Sequence, residues 1–197
     1  MSKGQATRSA ILDEAVAFAS VAGLDGLSIG GLAQRMNLSK SGLFAHFGSK
    51  EALQQAVMEE AFERFEQEVI RPAIAEPRGL PRVRALFRRW LRWGESGLPG
   101  GCLLLSASVE LDDQPGPLRD FVAAKQASWM AFLERLALIT RQAGDFRPDL
   151  DTRLFAFQAL GIVMSYNLFH RLLGDKAAAG LAEAAFEQLI AQHSVRG

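Results

Sequence analysis

Cysteine is almost absent from this 197-residue chain, which carries only Cys102. A single thiol excludes a disulfide within the chain and fits a reducing compartment. The three histidines lie far apart in the sequence and far from that cysteine, so no spacing typical of a metal site exists. No metal and no other cofactor is therefore predicted.

Long apolar runs are absent as well. No stretch of about 18 or more residues is both apolar and free of charge, so no membrane span and no membrane partner are predicted. The first residues, MSKGQATRSAILDEA, lack the apolar core of a secretory signal before acidic side chains appear. We therefore expect a cytoplasmic protein.

An excess of charge of either sign is missing too. Lys and Arg together number 22, as do Asp and Glu, and the pI is about 6.8. Overall charge therefore does not indicate a nucleic-acid partner. Residues 1–50 nevertheless carry five basic side chains against three acidic ones, which is the sign expected of an anion-binding module but a small difference.

Alternating strand patterns are also lacking, and almost every long segment has helical periodicity. Ser49 is placed to cap a long helix that should stop near Pro72. Further helices are predicted over 82–95, 102–112, 118–143, 150–173 and 175–193. The predicted fold is all-α, with a small three-helix N-terminal unit, a long connecting helix and a C-terminal helical bundle.

Two closely spaced helix starts mark the N-terminal unit. Ser28 and Ser39 are typical N-cap residues, and each has a leucine directly before it and another four positions later, the spacing of a hydrophobic staple. Asn37 lies between the two helices and tolerates a left-handed backbone. The sequence thus predicts helix, tight turn, helix, which is the helix-turn-helix arrangement.

The start of the second short helix is suited to close approach by an anion. Its free backbone N–H groups carry partial positive charge, Lys40 and Ser41 add donors, and Gly42 presents no side chain. Phe44 and Ala45 follow on the same surface, while apolar side chains on the opposite side hold the helix to its neighbours. An ordinary polar loop is the alternative interpretation of Ser-Lys-Ser-Gly.

The segment GLSIGGLAQRMNLSKSGLFAHFGSKEAL resembles the DNA-binding signature of the TetR family of transcriptional regulators. The matching positions are Ser28, Leu32, Ala33, Leu38, Ser39, Leu43, His46, Phe47, Lys50 and Leu53. The resemblance implies phosphate contacts from Ser28, Ser39, His46 and Lys50. It implies a groove-facing surface of Lys40, Ser41, Gly42, Phe44 and Ala45.

Three positions depart from the family pattern. Asn37 stands where the family usually has a glycine, and Phe44 replaces the usual tyrosine and so lacks its phosphate-binding hydroxyl. Gly30 and Gly31 lie in the first turn of the second helix and cost about 1 kcal/mol each relative to alanine. These departures keep open a helical dimer that binds a ligand but has lost DNA binding.

The resemblance also implies a homodimer whose last two helices pair into a four-helix bundle. Residues 152–174 support this independently, because apolar side chains occupy nearly every face of the predicted helix and must all be covered. The final helix adds an apolar stripe containing Leu181 and Phe186. Dimerisation through residues 152–193 would place two recognition helices on a palindromic site in double-stranded DNA.

Family members hold a small-molecule effector in the C-terminal part, and the absence of a charge cluster there favours a largely apolar ligand. Candidate lining residues are Trp90, Trp93, Cys102, Leu105, Trp129, Phe132, Phe157, Met164, Tyr166 and Phe169. Ordinary core packing is the alternative for each of them. The expected domains are a DNA-binding domain over 1–50 and a ligand-binding and dimerisation domain over 51–197.

A cysteine-dependent enzyme is the rival class. Cys102 follows two glycines at a predicted helix start, where the pKa of a thiol falls. A general base is needed nearby, and the chain offers only His46, His170 and His193, of which the last two have no suggestive context. The sequence therefore favours a TetR-like regulator, most simply a repressor, over an enzyme.

Overall fold

The computed structural model describes residues 3–195 and confirms the all-α prediction. The helices are α1 Lys3–Gly26, α2 Ile29–Arg35, α3 Lys40–Phe47, α4 Lys50–Phe65, α5 Arg71–Ile74, α6 Leu80–Arg92, α7 Leu103–Glu110, α8 Pro117–Gln142, α9 Thr152–Asn167 and α10 Ala178–His193. Among the described residues, extended pairing is limited to one isolated bridge between Phe146 and Ser194.

Three π-helical segments interrupt this helical pattern. They span Glu66–Ile70, Trp93–Gly97 and Leu168–Leu172 and follow α4, α6 and α9 directly. The expected stop near Pro72 is confirmed to within two residues, because the chain stays helical through Ile74. Pro72 lies in the first turn of α5, where a missing backbone N–H leaves no hydrogen bond unmade.

The chain divides into two compact units. The first unit runs to Phe65 and includes Ser96–Ala124, and the second comprises Glu66–Glu95 and the chain from Lys125 onward. These units reflect which residues contact one another, and they need not coincide with a division between DNA binding and ligand binding. The functional division after residue 50 therefore stays a prediction.

The first unit has a core of aliphatic side chains from α1 to α4. Ile11, Val16, Leu32, Leu43 and Leu53 are fully buried there. Burying a leucine or isoleucine side chain contributes about 1.5–3 kcal/mol. This core therefore holds helices α2 and α3, which are too short to persist alone.

The second unit is built around aromatic rings. Phe87 of α6 stacks on Phe186 of α10 with ring centroids 3.7 Å apart, and Phe155 of α9 contacts both Phe186 and Phe146. Trp90 meets Trp129 edge to face. These contacts tie α6, α8, α9 and α10 into one bundle.

Candidate nucleic-acid interface

Both predicted helix caps of the N-terminal unit are confirmed. The Ser28 hydroxyl accepts a hydrogen bond from the N–H of Gly31 at 3.0 Å, and the Ser39 hydroxyl accepts one from the N–H of Gly42 at 3.0 Å. Each cap satisfies one of the N–H groups that a helix start leaves without an intrahelical partner. The caps therefore fix where α2 and α3 begin.

The turn between α2 and α3 has the geometry that the sequence predicts. Asn37 has a φ of 54°, in the left-handed region. The N–H of Leu38 donates to the carbonyl of Ala33 at 2.9 Å, and the N–H of Asn37 donates to Gln34 at 3.2 Å. These two bonds form a Schellman motif, so asparagine performs the role of the usual glycine.

Helix α3 separates buried and exposed side chains cleanly. Leu43 and Phe47 are buried against the first unit. The five positions predicted to face the groove are all exposed: Lys40, Ser41, Gly42, Phe44 and Ala45. Phe44 is 53% exposed, which is unusual for a large apolar side chain in a folded unit. It gives the outer surface of α3 an apolar group that a partner can contact.

The glycines that begin α2 have a structural reason. A Cβ on Gly30 would lie 3.1 Å from Cε of Lys40, so the lysine side chain lies across this glycine. A Cβ on Gly31 would lie 3.1 Å from the capping hydroxyl of Ser28. Glycine at these positions therefore makes room for the α3 lysine and the cap, which offsets part of its propensity penalty.

Lys50 is held by the protein rather than extended into solvent. Its ammonium donates to the Asp25 carbonyl at 3.0 Å and lies 3.9 Å from the Asp25 carboxylate, and the side chain is 41% exposed. Ser28 is exposed and His46 is half-buried. Phosphate contacts from these residues stay predictions.

One residue near this surface has no signal in the sequence. Glu110, the last residue of α7, accepts hydrogen bonds from the N–H groups of Leu24 and Asp25 at 2.9 and 2.6 Å. These amides lie directly before α2. A glutamate at a helix end far along the chain resembles any surface acid, so only the fold reveals this contact.

The predicted effector residues fall into separate settings. Cys102 and Leu105 belong to the first unit, and the other eight belong to the second. Trp90, Trp129 and Phe132 form one aromatic cluster, with Trp129 stacked on Phe132 at 5.5 Å. Trp90 also lines a cavity of about 10 Å³ between α6, α8, α9 and α10, which has room for about one water molecule.

Tyr166 and Phe169 line a larger groove formed by α9, the segment after it, and α10. The groove has a volume of about 560 Å³ and is bordered by Gly161, Leu181 and Leu189 among others. A Cβ on Gly161 would meet no atom within 4 Å, so this position is open. The groove is a surface that the protomer itself leaves uncovered.

Large apolar side chains are exposed around the same helices. They are Leu154, Phe157, Met164, Leu168, Phe169, Leu172, Leu173 and Leu181. Phe155, Val163 and Tyr166 of α9 are buried on the inner side. The prediction that α9 is apolar on nearly all faces is therefore confirmed, and its outer faces are in contact with solvent in the protomer.

Tyr166 connects the groove with the segment after α6. A Cβ on Gly94 would lie 3.1 Å from its ring, and His170 stacks on it at 5.2 Å. Burial raises the pKa of the Tyr166 hydroxyl above its ordinary value, and the carboxylate of Glu95 raises it further, while Arg171 opposes both. The hydroxyl therefore stays protonated at neutral pH and can donate a hydrogen bond.

The structure gives no support to the enzymatic alternative. Cys102 is only 5% exposed, so its thiol is not presented to a substrate. Within residues 3–195, no His, Cys, Asp and Glu side chains cluster in a way that could hold a metal ion. No helix in the same range is long and apolar enough to cross a membrane.

A capped helix-turn-helix on an aliphatic core, followed by an all-helical unit, defines the class of helix-turn-helix regulators. Residues 11–57 match the family described as bacterial regulatory proteins, tetR family, and residues 79–186 match the tetracyclin repressor-like C-terminal domain. The chain belongs to the TetR family of transcriptional regulators. Members of this family are not enzymes, so the hypothesis of a nucleophilic Cys102 is set aside.

Solved structures of this family share the whole fold. A TetR-family regulator from Cytophaga hutchinsonii is 26% identical with a TM-score of 0.86, covering 100% of this chain and 99% of that one. One from Chloroflexus aurantiacus J-10-FL is also 26% identical with a TM-score of 0.85, covering 97% and 96%. AibR, solved in complex with isovaleryl coenzyme A and operator DNA, is 25% identical with a TM-score of 0.76, covering 93% and 97%. No curated protein sequence gives a significant match.

The cap geometry predicts a graded effect of substitutions at Ser39. Ser39→Ala removes the acceptor of the Gly42 N–H and should lower the free energy of unfolding by about 1 kcal/mol. Ser39→Gly lets water reach that N–H and should lower it by only a few tenths of a kcal/mol. Urea unfolding followed by circular dichroism measures both, and a Ser39→Ala variant as stable as the wild type would show that the cap bond contributes nothing.

Proposed function

We propose that this chain represses transcription by binding a palindromic operator as a homodimer, and that a small, largely apolar effector releases it. The observation that carries the proposal is the outer face of α3, where Lys40, Ser41, Gly42, Phe44 and Ala45 are all exposed beside a capped helix start. The helix N-terminus and the lysine attract phosphate, and the small residues allow close approach to a groove wall.

The capping serines can serve DNA without losing their structural role. A serine hydroxyl has one donor and two acceptor lone pairs, and each cap uses one lone pair. Ser28 therefore keeps an O–H to donate to a phosphate. The Ser39 hydroxyl also lies 3.2 Å from that of Ser41, so Ser39 keeps its O–H for a phosphate when Ser41 is the donor of that bond. Lys50 and His46 complete the proposed phosphate contacts, and because an ammonium has three N–H donors, Lys50 can donate to a phosphate while it keeps its bond to the Asp25 carbonyl.

We propose that a second copy of the chain packs against the exposed apolar face formed by α9, α10 and the segment between them. Contiguous apolar patches of this kind mark association surfaces in soluble proteins. Two copies related by a two-fold axis would place two α3 helices about 34 Å apart or more, one per half-site of a palindrome. The proposed interface is therefore residues 152–193.

The proposed effector site lies among the ten candidate residues, with a functional division at residue 50. AibR is solved with both isovaleryl coenzyme A and operator DNA, which supports a small-molecule effector in this chain as well. Five of the candidates, Trp90, Trp93, Cys102, Trp129 and Tyr166, are buried, which favours a ligand that is largely apolar. A ligand releases DNA only if it binds the DNA-free conformation more tightly than the DNA-bound one. Since its target is operator DNA, the regulator would act in the cytoplasm.

A first prediction concerns Lys40. Lys40→Ala removes one cation per half-site from the proposed DNA surface and should weaken operator binding roughly tenfold or more and reduce the dependence on salt. The measurement is fluorescence anisotropy on DNA flanking the chain's own gene, or on a site selected from random sequence, at two salt concentrations. The wild type should bind one fragment selectively.

The matched control is Lys125→Ala, which removes the same charge from an exposed position in the second unit outside the proposed dimer interface. This variant should bind like the wild type. If both variants lose operator affinity equally, Lys40 contributes only its charge and not a contact at the recognition helix. A folded dimer that binds no DNA selectively would instead support a ligand-binding module without an operator.

A second prediction concerns the dimer. Phe157 is 68% exposed, so Phe157→Asp should leave the protomer folded but place a charge in the proposed interface and give monomers. Sedimentation velocity at micromolar concentration measures the oligomeric state. Val21→Asp is the control, because Val21 is 69% exposed in the first unit and its variant should remain dimeric. A dimeric Phe157→Asp variant would contradict the interface.

A third prediction concerns the effector. Trp90, Trp93 and Trp129 are all buried, so a ligand entering the second unit should change tryptophan emission. A panel of short apolar acids and acyl thioesters, including isovaleryl coenzyme A, can be screened by fluorescence. Each compound that binds should then lower operator affinity in the anisotropy assay. A saturating compound that leaves operator affinity unchanged would contradict the release mechanism.

A further inference from the structure

Helix α1 breaks three residues before its end. Gly23 has a φ of 76° and a ψ of 169°, outside the helical region, and a short turn over Leu24–Gly26 follows. Because a helical start has no preceding turn to accept its first N–H groups, a break of this kind leaves new backbone donors to be satisfied. The turn leads directly to Leu27 and to Ser28, the cap of α2.

Glu110 takes up the donors of this turn. One carboxylate oxygen accepts the N–H of Leu24 at 2.9 Å and the other accepts the N–H of Asp25 at 2.6 Å. Charge-assisted bonds from two consecutive amides to one carboxylate restrict both position and orientation. A Cβ on Gly23 would lie 3.0 Å from the same carboxylate, so glycine both permits the break and gives Glu110 access.

Side chains of α4 hold the other side of the turn. The buried Gln54 side chain donates to the Leu24 carbonyl at 2.7 Å, and Lys50 donates to the Asp25 carbonyl at 3.0 Å. Donors and acceptors of the turn are thus fixed from two helices at once. The direction in which the chain leaves α1 and begins α2 depends on these contacts. Glu110 provides the two hydrogen bonds in which the acceptor is a charged carboxylate.

We propose that Glu110 is a positioning residue for DNA recognition, which orients the helix-turn-helix by clamping the turn at Leu24 and Asp25. This inference rests on the proposed DNA-binding function. The role is geometric rather than electrostatic, because a carboxylate in the DNA-binding unit repels phosphate. Removing the negative charge of Glu110 would by itself strengthen binding to any DNA. Losing the positioning would instead weaken binding to the operator alone.

The opposite signs of these two effects make the proposal testable with Glu110→Gln. An amide oxygen can accept one N–H, but the amide nitrogen cannot accept the second, so the clamp is left half made. Operator affinity should fall roughly tenfold, while affinity for unrelated DNA stays equal or rises slightly. Both are measured by anisotropy with the selected operator fragment and a scrambled fragment.

Asp113→Asn is the matched control, since it removes the same charge three residues later from an exposed side chain. It should keep the selectivity of the wild type. Glu110→Asp keeps the charge but shortens the side chain by one methylene group, so it should share the loss of selectivity. Wild-type selectivity in both Glu110 variants, or a loss confined to Glu110→Gln, would overturn the positioning role.

Amide hydrogen exchange gives a readout that does not depend on DNA. In Glu110→Gln, whichever of the Leu24 and Asp25 amides loses its acceptor should exchange roughly tenfold faster, while the cap amides of Gly31 and Gly42 should keep their wild-type rates. Unchanged exchange at Leu24 and Asp25 would overturn the clamp. If the wild type itself shows no selectivity for DNA, the proposed function fails, and the exchange rates alone then decide whether the clamp exists.

Discussion

The N-terminal unit depends on hydrogen-bond acceptors for the backbone N–H groups at helix starts, which follow one another closely along the chain. Helices of seven and eight residues, α2 and α3, gain too few internal hydrogen bonds to persist alone. Each start therefore uses a side-chain acceptor: Ser28 for α2, Ser39 for α3, and Glu110 for the turn before them. Burial of Leu43 and Phe47 supplies the apolar stabilisation, and it leaves the opposite face of α3 free for a partner.

The two units use apolar side chains for different purposes. In the first unit, buried aliphatic residues form the core that holds the short helices in place. In the second unit, stacked rings such as Phe87 and Phe186 fill the interior, yet Phe157 and Leu181 remain outside. A protomer that exposes this much apolar surface on two adjacent helices is suited to association with another protein surface.

Local signals in the sequence predicted local structure well. Serine caps and a left-handed Asn37 act over a few residues, so their geometry is encoded where it occurs. The expected stop near Pro72 is confirmed to within two residues, since the helix ends at Ile74, but no pattern in the sequence indicated the π-helical segment Glu66–Ile70 before it. Of the aromatic candidates, Trp90, Trp129 and Tyr166 are buried while Phe157 and Phe169 are exposed, and their sorting into the Trp90 cluster and the Tyr166 groove depends on which helices pack together.

By itself, the sequence determined the all-α class, the helix-turn-helix with its caps and turn, and the split of α3 into a buried and an exposed side, because these follow from helical periodicity and short-range hydrogen bonding. Only the tertiary structure decided that Lys50 turns back to Asp25, that Lys40 lies across Gly30, and that Glu110 reaches Leu24 from 86 residues away. Such contacts join residues whose separation along the chain carries no pattern, so they exist only once packing has brought their helices together.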